Sequence, residues 1–523
     1  MIKENKHRAF LFIFFFFIYS FLSFLLFYYN NFYSFPNADI NQQFAFSENL
    51  AQTGKFGIVN NLNQNYDPIF GPRLAMIKDG VLYPTAFLGI IIIWALIRKI
   101  SPFFIFLIGP LFSLLAAIYF YKIMKLFIKE NKYLNLGIIL FFITPPISLY
   151  SILPYNNIIS TAIFIVNLFY LLKISRKIDY KNMVFCGFLL GVQVWMRSVD
   201  VLFYIPIILY IFYKQKNKIR NHFKEIFISI FIFLIILAPL LYLNKKFYNN
   251  YLGPIGAYNQ DRLSYSQLHD PSNEYLYPKI NRFSRLSNTI YNKLFSFSTI
   301  FMVFAVIGMI LFIRKKDKEV GWVFISTILI QLFYYGSQQW SGIDIPNSVF
   351  GSFDRYMMIS WTLLVFFVVF FWHSFSFKFK KISLFFFSIL VLTSFINITF
   401  FNQGGYFSYW LKVSKQTHED KKIFSKDNSV LFTGLYDKYL YNENTIPAIH
   451  VSFPMEERLG KTTKLMANLK EDGYTVYYIH DTVPELDYSK DEYFEEMKKN
   501  ALVPINEWEL NRGGTLYEIG FTK

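Results

Sequence analysis

The chain has little cysteine and few charged residues, and both shortages limit the classes of protein to which it can belong. Cys186 is the one cysteine among 523 residues, so no disulfide can form within the chain and no cysteine cluster can bind a metal. Charged residues make up 17% of the chain, whereas hydrophobic residues make up 54% and aromatic residues 21%. Soluble domains carry about 25% charged residues. The composition therefore indicates an integral membrane protein.

Motifs for soluble enzyme chemistry are also missing. The 7 histidines are scattered, and there is no HExxH, no histidine pair at helical spacing and no nucleophile elbow, which excludes zinc protease and serine hydrolase chemistry. Gly513 and Gly514 lack the spacing of a nucleotide fingerprint. No particular cofactor follows from the sequence; a divalent metal is compatible with it, although no motif supports one.

The basic excess belongs to the apolar part of the chain. The net charge is +17, but residues 402–523 carry 15 Lys+Arg against 19 Asp+Glu, so residues 1–401 carry about +21. Basic residues beside apolar runs follow from membrane topology. Nucleic acid is therefore not an expected partner.

Apolar stretches long enough to cross a bilayer recur along the chain, beginning with a retained first helix. We predict eleven α-helical spans: 9–30, 103–121, 134–153, 157–172, 183–196, 200–213, 225–243, 294–313, 320–335, 355–372 and 382–401.

A twelfth apolar run, residues 83–97, is predicted to be an interfacial helix. If it does not cross, the short basic clusters near residues 1–8, 122–132, 173–181, 214–224, 314–318 and 378–381 all face one side. Arg98 and Lys99 are the exception. The positive-inside rule then predicts a cytoplasmic amino terminus in a multi-pass plasma-membrane protein.

This topology places the long loops on the extracytoplasmic side. We predict a transmembrane domain at 1–401 with a first extracytoplasmic loop at 31–84, and a small extracytoplasmic α/β domain at 402–523. The tail alternates strand-like runs at 429–433, 448–452, 475–479 and 514–519 with helical patterns at 454–472 and 491–500. We therefore expect the catalytic and substrate-binding residues on the extracytoplasmic side.

The order of features along residues 10–375 resembles a family of membrane glycosyltransferases. These features are an acidic residue after the first span, a surface helix opened by Tyr83-Pro84, the segments TPPISLYS and GFLLGVQVWMRS, and DRYMM at a late span. Together they resemble the GT-C fold enzymes related to dolichyl-phosphate-mannose protein mannosyltransferases and aminoarabinose transferases, the family 39-like glycosyltransferases.

The resemblance implies inverting transfer of a sugar from a polyprenyl-phosphate donor to an acceptor on a glycan, lipid or protein. Asp39 inherits the role of catalytic base by position. It also fits a capping box with Gln42, and Asn should cap a helix about as well as Asp. Where the family has a second acidic residue, this chain has Asn156, which can hydrogen-bond a sugar but cannot act as a base.

Cations near the predicted outside surface are candidates for binding the lipid phosphate. Arg73 and Lys78 lie in the first loop, and both can equally anchor that loop to lipid head groups. Arg197 either binds substrate or forms an ion pair with Asp200, while Arg355 either reaches a phosphate or extends to the membrane surface.

Two other functions remain open. A transporter or flippase of a lipid-linked glycan would use the same basic loops, although its ionisable residues would be expected near the membrane midplane. A catalytically inactive relative is the other alternative, because Asn156 replaces an acidic residue.

Overall fold

The structure is a computed structural model, and it describes nearly three quarters of the chain. The described residues are 2–29, 38–59, 62, 75–85, 87–251, 253, 287, 299–336, 352–374, 385, 387–389, 392, 396, 406–424, 428–433, 448–450, 456–480, 490–510 and 514–522.

Helices form most of the described chain. In order they are α1 (Ile2–Tyr28), α2 (Ala38–Thr53), α3 (Leu88–Ile100), α4 (Ile108–Lys125), α5 (Asn131–Ile143), α6 (Pro145–Ile152), α7 (Asn156–Arg176), α8 (Tyr180–Arg197), α9 (Ile205–Gln215), α10 (Phe223–Tyr248), α11 (Thr299–Lys315), α12 (Lys318–Gly336), α13 (Ser352–Tyr356), α14 (Met358–Ser374), α15 (Tyr406–Lys421), α16 (Glu456–Glu471) and α17 (Lys490–Lys499). Short 3-10 helices cover Pro102–Leu107, Ser198–Tyr204, Ile219–His222 and Lys422–Phe424.

Strands form two small sheets. They are β1 (Ile58–Val59), β2 (Ala75–Lys78), β3 (Val81–Pro84), β4 (Ser429–Thr433), β5 (Ala448–His450), β6 (Thr475–His480), β7 (Leu502–Glu509) and β8 (Thr515–Phe521). The first three form an antiparallel sheet in the order β1-β3-β2, and the other five form a mixed sheet.

The chain divides into two compact units. One contains residues 1–24, 106–241 and 273–409, and the other contains residues 25–105, 242–272 and 410–523. We call them the helical unit and the mixed unit. The predicted domain boundary after residue 401 stays a prediction.

Six described helical segments are long and apolar enough to cross a membrane, at 6–28, 102–125, 156–176, 180–215, 220–248 and 318–336. A bent pair, α5 with α6, makes a seventh if it counts as one span, and α14 is a shorter apolar helix. The chain is thus a multi-pass helical membrane protein. The count of eleven spans stays a prediction, and most of the predicted span 382–401 lies outside the described residues.

The predicted span 134–153 is broken in the middle. α5 ends at Ile143 and α6 starts at Pro145, with a bend of 61° between the two helices. Thr144 between them is extended, with φ −67° and ψ 117°. The cause is the Pro145-Pro146 pair, because proline lacks the backbone N–H that would continue the first helix and disfavours helical geometry in the residue before it.

The segment 180–215 contains both α8 and α9 and is not one straight span, because the chain reverses direction between the two helices. Gln193, near the end of α8, contacts Ser160 near the start of α7. Gln215, at the end of α9, donates to the Ser175 carbonyl near the end of α7 at 2.7 Å. α8 therefore runs antiparallel to α7 and α9 runs parallel to it. The turn follows Arg197, which has an extended backbone.

Several predicted cytoplasmic clusters meet at one end of the helical unit, which we call the basic end. Arg176 and Lys214 line one cavity there. Lys214 also pairs with Glu319 at the start of α12. The opposite end holds Arg197, at the α8–α9 turn. Which end faces the cytoplasm stays a prediction.

The mixed unit contains the predicted tail fold. Its sheet has the order β5-β4-β6-β8-β7, with β4 parallel to β5 and β6, and β8 antiparallel to β6 and β7. Val430, Phe432 and Val476 pack with Met466 and Leu469 of α16 in a buried core. The predicted α/β fold is confirmed, while β7 was not predicted because its polar residues mask the alternation.

α3 corresponds to the interfacial helix predicted at 83–97, but it starts at Leu88, because Tyr83 and Pro84 belong to strand β3. Its 13 residues extend over about 20 Å, which is too short for a hydrocarbon core of about 30 Å. Leu88, Ile91 and Trp94 lie on its buried face, whereas Leu96 and Ile100 are exposed. An apolar helix of this length that buries one face and exposes apolar residues on another suits a membrane surface.

Candidate functional site

Arg197 and Asp200 form a buried ion pair at the α8–α9 turn. Arg197 is 5% exposed and Asp200 is 1% exposed, and Arg197 Nη1 lies 3.6 Å from Asp200 Oδ1. The three-residue spacing brings the two charges together because a 3-10 helix follows Arg197 directly. The ion pair proposed as the structural alternative for Arg197 is therefore present.

Two tyrosines surround the Arg197 guanidinium. Arg197 Nη2 donates to the Tyr335 hydroxyl at 2.6 Å, and Arg197 Cζ lies 4.2 Å from the ring centroid of Tyr356. The two rings stack with centroids 5.0 Å apart. α12 supplies Tyr335 and α13 supplies Tyr356, so the arginine joins the α8–α9 turn to two other helices.

Arg355 extends this stack toward the start of α7. Its Cζ lies 5.0 Å from the ring centroid of Tyr356 and 4.8 Å from that of Tyr155. Asn156 directly follows Tyr155 and is the first residue of α7. Of the two arginines, Arg355 is half-buried and Arg197 is buried. The structure thus brings together three of the predicted substrate-binding residues, Asn156, Arg197 and Arg355.

Sequence reasoning missed the polar groups that complete this cluster. Ser160 Oγ and Gln193 Nε2 both donate to Asp200 Oδ2, the latter at 3.4 Å, and Tyr204 donates to Gln193 Oε1 at 3.3 Å. Gln193 stands alone in an apolar run. A polar residue inside a span is a usable signal, because burying an amide without a partner is costly. We use the name tyrosine–arginine cluster for the following residues: Arg197, Asp200, Ser160, Gln193, Tyr335, Tyr356, Arg355 and Tyr155.

A neighbouring amide has an unused donor. Asn157 is 2% exposed, and its side-chain nitrogen has no hydrogen-bond partner among the described residues. It follows Asn156 in the first turn of α7. An amide nitrogen in this position can donate to an oxygen-rich ligand such as a sugar.

Asp39 lies in the first turn of α2, in the mixed unit. The helix starts at Ala38, so Asp39 is its second residue rather than the residue that precedes the helix. The neighbouring side chains from Ile40 to Ser47 are buried.

An ion pair fixes α2 against α3. Arg98 Nη1 contacts Glu48 Oε2, and the Arg98 guanidinium lies 4.9 Å from the ring centroid of Phe44. The Arg98 side chain is 1% exposed and that of Glu48 is 17% exposed. This pair neutralises Arg98 in a packed interface, whereas Lys99 is exposed and stays an exception to the predicted topology.

Lys78 has a structural role in the mixed unit. Its Nζ donates to the Lys246 carbonyl and to Asn249 Oδ1, each at 3.0 Å, and so ties the β2–β3 hairpin to the end of α10. A cation there also complements the helix dipole. In the same hairpin, burial and the negative charge of Asp79 raise the pKa of Tyr83. Its phenol is therefore protonated at neutral pH and cannot serve as a ready base.

The remaining predicted positions add no metal site. Arg73 lies outside the described residues. Within the part of the chain that the structure describes, no group of three His, Cys, Asp or Glu residues has a geometry that could hold a metal ion.

Comparison with known proteins supports the resemblance stated from the sequence. Residues 84–243 match the family model described as dolichyl-phosphate-mannose-protein mannosyltransferase. No curated protein sequence matches the chain.

Solved structures share the fold over nearly the whole chain. ArnT from Cupriavidus metallidurans bound to undecaprenyl phosphate superposes with a TM-score of 0.59 at 10% identity, covering 98% of each chain. The apo form of that protein gives a TM-score of 0.58 with the same identity and coverage. The GT-C fold predicted from the sequence is thereby confirmed.

Proposed function

We propose that the chain is a membrane glycosyltransferase that moves a sugar from a polyprenyl-phosphate donor to an acceptor on the extracytoplasmic side. The observation that carries the proposal is the likeness to ArnT, a protein solved with undecaprenyl phosphate, over 98% of both chains. The family-model match at residues 84–243 points to the same class of chemistry. The sugar is a hexose or pentose, and the acceptor is a glycan, lipid or protein.

Asp39 is the proposed base. It takes the proton from the acceptor hydroxyl or amine as the acceptor atom bonds to the anomeric carbon. The bond from that carbon to the lipid phosphate oxygen breaks, and polyprenyl phosphate leaves with the electron pair. A single displacement of this kind inverts the anomeric centre.

Arg355 is the proposed phosphate ligand of the helical unit. It is more exposed than Arg197, and a guanidinium matches phosphate oxygens with two parallel hydrogen bonds. Arg197 holds the turn, since its guanidinium already contacts Asp200, Tyr335 and Tyr356. Arg73 and Lys78 are proposed phosphate ligands of the first loop, and the Lys78 ammonium, which has three N–H donors, can bind a phosphate oxygen while it keeps its two present acceptors.

Asn156 and its neighbour Asn157 are proposed to bind the sugar hydroxyls. Neither side chain can take up a proton at neutral pH, so both would orient the substrate rather than activate it. The proposed mechanism therefore requires one carboxylate, and a second acidic residue at position 156 is not needed for the proton transfer.

The experiment compares the native chain with Asp39→Asn in membranes that contain equal amounts of each protein. Release of labelled sugar from a mixture of radiolabelled polyprenyl-phosphate sugars is measured. Asn preserves the shape of the side chain and removes the base, so release should fall by 100-fold or more, within the roughly 10²–10⁴-fold contribution of a positioned base.

Asp179→Asn is the matched control. Asp179 caps α8 by accepting from the Asn182 backbone nitrogen, and Asn caps about as well as Asp. The control should retain native release. Equal release by Asp39→Asn and the native chain would remove Asp39 from the mechanism.

A further inference from the structure

A cavity opens at the basic end of the helical unit, away from the tyrosine–arginine cluster. Its volume is about 400 Å³, and it lies between the ends of α7 and α9 and the start of α12. Small-molecule sites occupy about 300–1,000 Å³, so the cavity is large enough for a head group. No residue of the proposed transfer reaction lines it.

Positive charge dominates the lining. Arg176, Lys214 and Lys218 face one carboxylate, Asp317. Asp317 Oδ1 accepts a hydrogen bond from the Val320 backbone nitrogen at 3.0 Å and so caps α12. One of its two carboxylate oxygens is therefore already engaged. The lining therefore favours an anion over a cation.

Two of the three cations keep their charge available. Lys214 pairs with Glu319 at 2.8 Å, whereas Arg176 and Lys218 have no carboxylate partner among the described residues. The Arg176 guanidinium lies 5.7 Å from the ring centroid of Phe127, a cation–π distance that orients it. Both side chains are exposed and can reach a ligand.

Membrane topology alone explains why basic residues gather at this end, but it does not explain their shared cavity. Lys173 and Lys181 also lie at the basic end, and neither lines the cavity. Lys173 instead lies 4.9 Å from the ring centroid of Phe169. The convergence of Arg176, Lys214 and Lys218 is thus a local feature.

We propose that this cavity binds a phosphate group, carried by the head group of an anionic phospholipid or by a soluble phosphate. Arg176 and Lys218 bind the phosphate oxygens, and Phe127 with Leu172 forms the apolar wall. Basic pockets between membrane helices bind anionic head groups in this way. The inference does not depend on the proposed sugar transfer.

The test measures lipid binding to the full chain purified in neutral detergent. Native mass spectrometry follows the occupancy of phosphatidylglycerol, with phosphatidylcholine as the neutral comparison. The double variant Arg176→Gln/Lys218→Gln removes the two available charges. At about fivefold per charge, its affinity for phosphatidylglycerol should fall by about 25-fold.

The matched control is Lys173→Gln/Lys181→Gln, which removes two charges from the same end outside the cavity. It should bind phosphatidylglycerol within twofold of the native chain. Equal losses in the two double variants, or no loss in either, would overturn the proposal. Elution profile and thermal stability confirm that both variants are folded.

Inorganic phosphate then distinguishes the two sources. If inorganic phosphate binds to the lipid-free native chain and also displaces bound phosphatidylglycerol, the site accepts soluble phosphate. If phosphatidylglycerol binds and inorganic phosphate does not displace it, the ligand is the lipid head group. Failure of both ligands to bind the native chain would overturn the proposal.

Discussion

Removing Arg197 should destabilise the protein strongly, because it leaves Asp200 as a buried charge without its cation. We consider Arg197→Met, which preserves much of the side-chain volume. The variant loses the 3.6 Å ion pair and the 2.6 Å hydrogen bond to Tyr335. Breaking a buried ion pair by removing one partner costs about 3–5 kcal/mol.

A second substitution tests whether the cost comes from the pair. Asp200→Asn neutralises the carboxylate and keeps an oxygen that can accept from Ser160 and Gln193. In the double variant the uncompensated charge is gone. Its destabilisation should therefore be at least about 1 kcal/mol smaller than the sum of the two single losses.

Thermal unfolding in detergent at a fixed scan rate measures all three variants and the native chain. Arg220→Met is the control, since Arg220 is exposed at the opposite end, and it should change stability by less than about 0.5 kcal/mol. Strict additivity of Arg197→Met and Asp200→Asn would refute the reasoning. So would a loss for Arg197→Met as small as that of the control.

Two further substitutions, and a third that serves as a control, test other contacts. Glu48→Gln leaves the 1%-exposed Arg98 side chain without its carboxylate, so it should lower stability by about 3 kcal/mol in the same assay; a change below about 0.5 kcal/mol would contradict the pair. Gly308→Ala places a Cβ 2.0 Å from the Phe367 carbonyl oxygen and should cost about 1–3 kcal/mol. Gly460→Ala in α16 is the control, because its Cβ would meet only the flexible end of the Glu496 side chain, at 3.3 Å. This substitution should leave stability unchanged or raise it. Equal losses of stability at both glycines would refute the packing argument.

Much of the fold follows from the sequence because membrane helices and the tail use simple periodic signals. Long apolar runs predicted a multi-pass helical protein, and the Gly473 stop predicted the end of the helix before β6. The helix break at Thr144 was not predicted, although the Pro145-Pro146 pair indicates one. Hydropathy averages over about 20 residues and so hides a local break inside an apolar run.

The candidate site was harder to predict because its partners are distant in sequence. An ion pair between Arg197 and Asp200 was one of the two alternatives predicted for this turn, but Tyr335 is more than 130 residues away from both. Arg98 is an exception to the predicted topology, and its partner Glu48 lies 50 residues away in the sequence. No local pattern reports such tertiary pairs, and only a resemblance to known proteins suggested a role for Asp39.

The most direct test of the proposed function asks whether the lipid donor is broken or only moved. Proteoliposomes with the native chain receive a polyprenyl-phosphate sugar labelled in both the sugar and the lipid, with membrane extract as the acceptor source. The account predicts that the lipid label is recovered as polyprenyl phosphate and that the sugar label is bound to an acceptor. Recovery of intact donor in the opposite leaflet would contradict it and would support a flippase.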